Sequence, residues 1–157
     1  MSMLLTLPWV VDIERRKTMN QENEGIVQRW HDEGINQQQP SLALEMCAEN
    51  FQFHFAFITP DYPKGAGALK HWAAATFEFF PDFSIVVDDL VSDGEKVAFR
   101  ATITATHGGE IFGVAPTGKK LVWGAMGMVR VKNGKMTEFW WMPDLFTLMD
   151  QLGLVPD

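Results

Sequence analysis

The side chains able to move protons in this chain are carboxylates, four histidines and a mid-strand arginine, with one cysteine and little serine beside them. His31, His54, His71 and His107 have no spacing that suits a metal ion. There is no HExxH and no GxSxG elbow. There is also no GxGxxG after a strand and no GxxxxGK followed by Ser or Thr, which argues against nucleotide binding through such loops. A carboxylate, a histidine and an arginine in an apolar frame can still shift one another's proton affinity and perform acid–base chemistry without a cofactor. Cys47 sits in Leu42-Ala43-Leu44-Glu45-Met46-Cys47-Ala48, read as the buried side of a helix, where a thiol is inert. Alone, it forms no intrachain disulfide and is compatible with a reducing, cytoplasmic setting.

Each candidate also has a plainer reading. Asp144 follows Pro143 and suits the cap of a terminal helix. Arg100, in Phe99-Arg100-Ala101-Thr102, is either an ion-paired surface residue or a pocket anchor. His107 precedes two glycines and suits a structural link between a bulge and Glu110. His71 reads as an exposed helical position, and His31 as solvated beside Asp32 and Glu33.

The elements that must position these groups follow from periodicity. Residues 20–36 predict a helix capped by Asn20, with Ile26, Val27 and Trp30 as its apolar stripe. Pro40-Ser41 opens a shorter helix to about Glu49. Residues 51–58 alternate, with Phe51, Phe53, Phe55 and Phe57 on one face and Gln52, His54 and Ala56 on the other. A helix over 65–80 carries Leu69, Trp72, Ala73, Thr76 and Phe80, and Pro81 ends it. Strands follow over 83–90 and 96–107, then a break at Gly108-Gly109 and a short element at 110–113. Asn133-Gly134 is a strong hairpin signal joining 121–132 to 135–142. A two-residue turn pairs Gly127 with Trp140, Ala125 with Met142 and Trp123 with Asp144. Both faces of that hairpin are largely apolar, and one inserted residue would exchange them. Residues 144–152 suit a final helical turn or two.

Helices first, then a strand, a helix and an antiparallel meander make an α+β domain. The chain has 157 residues, enough for a core without disulfides. Residues 1–18 read as an extension or arm, able to cover a pocket or a partner subunit, and 19–157 as a single domain. The apolar start lacks a basic segment and is too short to span a bilayer. A net charge of −7 argues against nucleic acid and anionic membranes as partners. Twelve Phe, six Trp and nine Met against one Tyr describe a soft, aromatic interior.

Several motifs together resemble the SnoaL-like polyketide cyclases, or ester cyclases, of the nuclear transport factor two-like superfamily. They are Phe80-Pro81-Asp82-Phe83, Val97-Ala98-Phe99-Arg100-Ala101-Thr102 and Thr106-His107-Gly108-Gly109-Glu110-Ile111-Phe112-Gly113. Next come Pro116-Thr117-Gly118-Lys119 and Asn133-Gly134-Lys135-Met136-Thr137-Glu138-Phe139-Trp140, with Asp144 and Gln151-Leu152-Gly153. The resemblance runs from about residue 20 to 154. It implies a conical barrel, a curved antiparallel sheet wrapped around N-terminal helices and enclosing a deep apolar pocket. It also implies a homodimer formed through the sheet and a cofactor-free, metal-free intramolecular aldol closure.

The position matching the family's acid–base aspartate is Asp144, here expected at an apolar wall with raised proton affinity. Arg100 or His54 would assist it. Trp72, Trp123, Met126, Met128, Trp140, Trp141 and His107 would form the pocket. Some cyclases carry a second polar group, a histidine, on the penultimate strand, where this chain has Met126 and Met128. The related limonene epoxide hydrolases place an aspartate two residues after an arginine like Arg100. Thr102 stands there, which counts against epoxide hydrolysis. Two main readings remain, a cyclase or isomerase acting on an apolar polyketide-like molecule and a non-catalytic binding or dimerisation module of the same fold, with an epoxide hydrolase-like enzyme as a third and weaker one.

Overall fold

The computed structural model describes residues 7–156. Helix α1 (Pro8–Arg29) continues into a π-helical segment (Trp30–Asn36) and is followed by the short α2 (Leu42–Met46). Strand β1 (Cys47–His54) and helix α3 (Ala66–Phe79) come next. Strands β2 (Ser84–Asp93), β3 (Lys96–Thr106), β4 (Lys120–Lys132) and β5 (Lys135–Pro143) then form a meander closed off by α4 (Leu145–Gln151). The sheet order is β1-β5-β4-β3-β2. All neighbours are antiparallel except β1 and β5, which run parallel. This is the expected α+β architecture with a curved sheet, but β1 and β2 remain edges and the barrel does not close.

The first helix begins well before residue 20. Pro8 occupies its first turn, where its fixed φ favours entry and its missing N–H costs nothing. The described part of the proposed arm, residues 7–18, is therefore the exposed start of α1. Further along, Asn20 and Asn23 serve as clamps rather than caps. Gly94 N donates to Asn20 Oδ1 at 3.0 Å, and Asn23 Nδ2 donates to the Gly94 carbonyl at 2.9 Å, fixing α1 to the β2–β3 turn. At the sheet edge, Asn36 exchanges two 2.9 Å hydrogen bonds with the backbone of Ile85. It thus satisfies groups an open edge would leave unpaired.

His31 is buried, not solvated. Its Nδ1–H donates to the Val27 carbonyl at 2.8 Å, and its ring stands edge-on to Phe99 with centroids 4.6 Å apart. Burial pushes its pKa down to about 4. Cys47 begins β1 instead of lying on a helix, and burial pushes its thiol up to about 12.

The Asn133-Gly134 turn forms as expected, with both residues at positive φ, the I′ geometry that matches strand twist. Beyond it, the expected pairing fails by one residue. Arg130 pairs Glu138 while Val131 pairs Met136, leaving Thr137 as an extra residue in β5. Gly127 therefore faces Trp141 and Met128 faces Trp140. The bulge turns Phe139 and Trp141 inward with Trp123, Ala125 and Val129, and turns Glu138, Trp140 and Met142 outward. Only glycine fits at 127, since a Cβ there would lie 2.4 Å from the Phe99 ring. That gap lets Phe99 cross the sheet beneath Trp141, with centroids 6.1 Å apart.

The candidate functional site

The helix-facing side of the sheet does not fill completely. Between α3, the inner face and α4 lies a cavity of about 340 Å³. Its floor is Trp72, Phe80, Phe83, Ile103, Trp123, Trp141 and Leu148, without an ionisable side chain. Trp72 stands edge-on to Trp141 at 5.4 Å, and Phe80 leans on Trp123 at 5.4 Å, so the walls brace one another. The α3 contribution is a helical stripe: His71, Ala75 and Phe79 at four-residue spacing, with Trp72 and Thr76 beside it. Thr76 Oγ1 donates to the Trp72 carbonyl at 2.8 Å, so its hydroxyl proton is already engaged.

Ionisable lining is confined to the mouth, where Tyr62, His71 and Glu110 sit among exposed Phe57 and Phe112. Tyr62 comes from the loop after β1, and burial raises its phenol pKa, so it keeps its proton. Its ring and that of His71 meet edge to face, with centroids 5.1 Å apart at 89°.

The opposite rim is the 107–119 loop. His107 N donates to the Lys119 carbonyl at 2.9 Å, and Gly118 N to the His107 carbonyl at 3.0 Å. Gly108 and Gly109 both donate to the carbonyl of Phe79, at 3.0 and 2.9 Å. A Cβ on Gly109 would sit 2.2 Å from the Glu78 carbonyl oxygen, so glycine is needed for that close approach. Phe112, at positive φ, reaches Phe57 across the opening with ring centroids 5.7 Å apart.

Several expected site residues lie elsewhere. Asp144 does not line the cavity, although its neighbours Pro143 and Leu145 do. Asp144 opens onto a depression on the outer face with Arg100, Thr102, Met126 and Met142. Its side chain caps α4, accepting from Thr147 N at 3.0 Å and Thr147 Oγ1 at 2.6 Å. Those bonds favour the ionised form and hold its pKa below the usual carboxylate value, opposite to the expected direction. Arg100 is also outside, paired with Asp89 at 2.7 Å and Asp88 at 3.2 Å.

His54 stacks on Trp140 at 5.0 Å and meets Glu138 at 2.9 Å on the outer face. Met126, Met128 and Trp140 share that face, because β4 alternates and the Thr137 bulge reverses β5. His107 is fully buried at the base of the loop, not in the lining. Thr117 N donates to its Nδ1 at 3.3 Å, so the proton sits on Nε2, which has no partner among the described residues. Trp72, Trp123 and Trp141 do line the cavity. His71 is an exposed position of α3, as expected, but its place at the cavity mouth, like those of Tyr62 and Glu110, was not anticipated. The signals were available: the chain's single tyrosine, and a histidine on the same helical stripe as Ala75 and Phe79.

Among the described residues no His, Cys, Asp or Glu cluster suits a metal ion, and no helix is long and apolar enough to cross a membrane. An open curved sheet, packed by α3 around an aromatic cavity, defines an α+β protein with an apolar pocket. Comparison with known families makes this specific: the profile of the SnoaL-like polyketide cyclases matches residues 25–152, and the chain belongs to that family.

Solved structures agree. A candidate polyketide cyclase from Bacillus cereus is 30% identical, with TM-score 0.70, 86% of this chain covered and 83% of the other. IdmH, a candidate polyketide cyclase from Streptomyces antibioticus, is 28% identical, with TM-score 0.72 and coverage of 83% and 98%. AclR, a candidate hydroxylase from Streptomyces galilaeus, is 25% identical, with TM-score 0.75 and coverage of 88% and 85%. No protein of curated function matches the chain.

Proposed function

We propose that the protein is a cofactor-independent cyclase or isomerase that takes a flat, apolar polyketide-like molecule into the aromatic cavity. There it moves a proton next to a carbonyl, in an aldol-type ring closure or a related shift. The supporting observation is the division of the cavity into an apolar floor and a polar mouth. A fused ring system lies against Trp72, Trp123 and Trp141, and its carbonyl edge is left where acid–base groups are. Burying roughly 200–250 Å² of aromatic surface gives about 5–6 kcal/mol before ordering costs, which sets the dissociation constant of the bare ring system at about 0.1 mM or weaker.

The floor's lack of an ionisable side chain favours a second reading, a binding module without turnover. Epoxide hydrolysis is not supported, since Arg100 and Thr102 lie on the outer face. We also propose a homodimer through that face, where Val122, Met126 and Met142 are more than half exposed beside Trp140.

Two measurements test the main reading. An anthraquinone probe should quench tryptophan fluorescence saturably. Acetylnaphthalene, a flat methyl ketone, should take up deuterium from deuterium oxide faster with protein than without. Binding without exchange selects the binding module, and no saturable quenching defeats both readings.

A further inference from the structure

Two of the three polar groups at the mouth touch each other. Tyr62, held in a turn by its N–H bond to the Thr59 carbonyl at 3.0 Å, has its ring perpendicular to that of His71 on the second turn of α3. Both line the cavity, and among the described residues neither side chain makes a hydrogen bond to another residue. The pair therefore offers one hydroxyl donor and one imidazole, side by side, at the end of an apolar slot. Glu110 lies on the 107–119 loop across the opening, so the group beside the phenol that can take a proton from carbon is the imidazole. Histidine is the side-chain type suited to that task.

We propose that Tyr62 and His71 are the catalytic pair of this cavity: Tyr62 donates a hydrogen bond to the substrate carbonyl oxygen while His71 takes a proton from the adjacent carbon. This rests on the cyclase or isomerase reading above and assigns its reacting groups. Neutral imidazole removes the proton, and the electrons of the C–H bond become an enolate whose oxygen is held by the phenol. In a ring closure the enolate carbon attacks a second carbonyl carbon of the same molecule. A C–C bond forms, the carbonyl π bond opens to an alkoxide, and the imidazolium returns its proton to that oxygen. In an isomerisation the proton returns to a different carbon. No oxidant, reductant or metal enters the balance. The geometry also orients the substrate, with its ring skeleton inward on Trp72, Trp123 and Trp141 and its reacting carbonyl outward.

The test is deuterium uptake by acetylnaphthalene, with anthraquinone affinity measured in parallel. Tyr62→Phe keeps the perpendicular ring and removes only the hydroxyl. It should slow exchange on the order of a hundredfold. His71→Gln should slow it by about two to four orders of magnitude. His71→Gln should leave the anthraquinone dissociation constant within about twofold of wild type, and Tyr62→Phe should weaken it by about two- to tenfold, the loss of one hydrogen bond to a quinone carbonyl and far less than the loss of exchange. Added imidazole should restore part of the exchange lost in His71→Ala, which repair of a merely structural defect would not do.

Exchange at the wild-type rate in either variant overturns the assignment while leaving the acid–base reading in place. So does loss of exchange only in step with loss of binding, or failure of imidazole to restore any activity. A wild-type protein that binds anthraquinone and exchanges nothing overturns the acid–base reading, and this pair with it.

Discussion

Acidification is expected to weaken the fold through His31. The ring is buried against Phe99 and Phe139, and desolvation lowers its pKa from 6.5 to about 4. Between those values the unfolded chain binds a proton that the folded chain refuses, so stability falls as pH drops. The stabilisation is fully present above about 6.5, declines through the window, and is gone below about 4. The shift amounts to about 3 kcal/mol, with a slope near 1.4 kcal/mol per pH unit in mid-window. That is a large share of the roughly 5–15 kcal/mol typical of a domain.

Urea unfolding followed by tryptophan fluorescence, from about pH 7.5 to about pH 4.5, measures it directly. His31→Phe provides the control. Its ring keeps the edge contacts, loses the bond to Val27 at a cost of about 1 kcal/mol, and cannot titrate. Wild type should show the slope and His31→Phe should not. An equal slope in both proteins, or a flat wild type, refutes the reasoning. Because Phe99 stacks on the cavity wall Trp141, ligand affinity should decline over the same interval.

Asp144→Asn should leave deuterium exchange unchanged, because the carboxylate caps α4 outside the cavity; a folded variant without exchange would return Asp144 to the reaction. The lowered pKa of Asp144 means its cap stabilises above the unfolded value of 3.8 and is lost as pH falls through the folded one, so Asp144→Ala should lower Tm at neutral pH with little effect in strong acid. Gly109→Ala should lift the loop from α3 and weaken anthraquinone binding, with about 1–3 kcal/mol lost in stability; unaltered affinity would show that the rim does not shape the cavity. Met126→Lys, on the exposed outer face, should convert a dimer to a monomer in sedimentation with exchange retained, and an unchanged sedimentation coefficient would remove that face from the interface.

The order of elements and the fold class were legible because turns and periodicity are local signals. Asn133-Gly134 marked its hairpin correctly, and Phe51 and Phe53 marked the inward face of β1, although the strand runs over 47–54 instead of 51–58 and Phe57 lies exposed beyond it. What misled was a non-local detail. One extra residue at Thr137 exchanges the faces of β5, and Trp140, Trp141 and Met142 give no compositional cue to which side is the core. That single bulge decided the placement of Trp140. The outward position of Arg100, paired with two aspartates across the β2 bulge, likewise depends on register. Asp144 shows a different limit. Its cap role was readable from Pro143 and the helix beyond, and the carboxylate does cap α4, outside the aromatic cavity that the resemblance implied for it. Tyr62 and His71 stayed hidden because each is unremarkable alone, and only the return of the loop onto α3 joins them.

The parallel pairing of β1 with β5 has a consequence for how the chain assembles. His54 and its partner Glu138 are 84 residues apart, so this ladder closes a far longer loop than any of the hairpins. The β2–β3–β4–β5 meander can nucleate from near-neighbour contacts, whereas β1 must wait for the whole of it. Phe55 and Phe57, which complete one side of the mouth, lie just beyond the end of that late strand. During synthesis the aromatic cavity therefore comes into being only after nearly all of these elements have left the ribosome, and the proposed uptake of anthraquinone becomes a reporter of the final folding step.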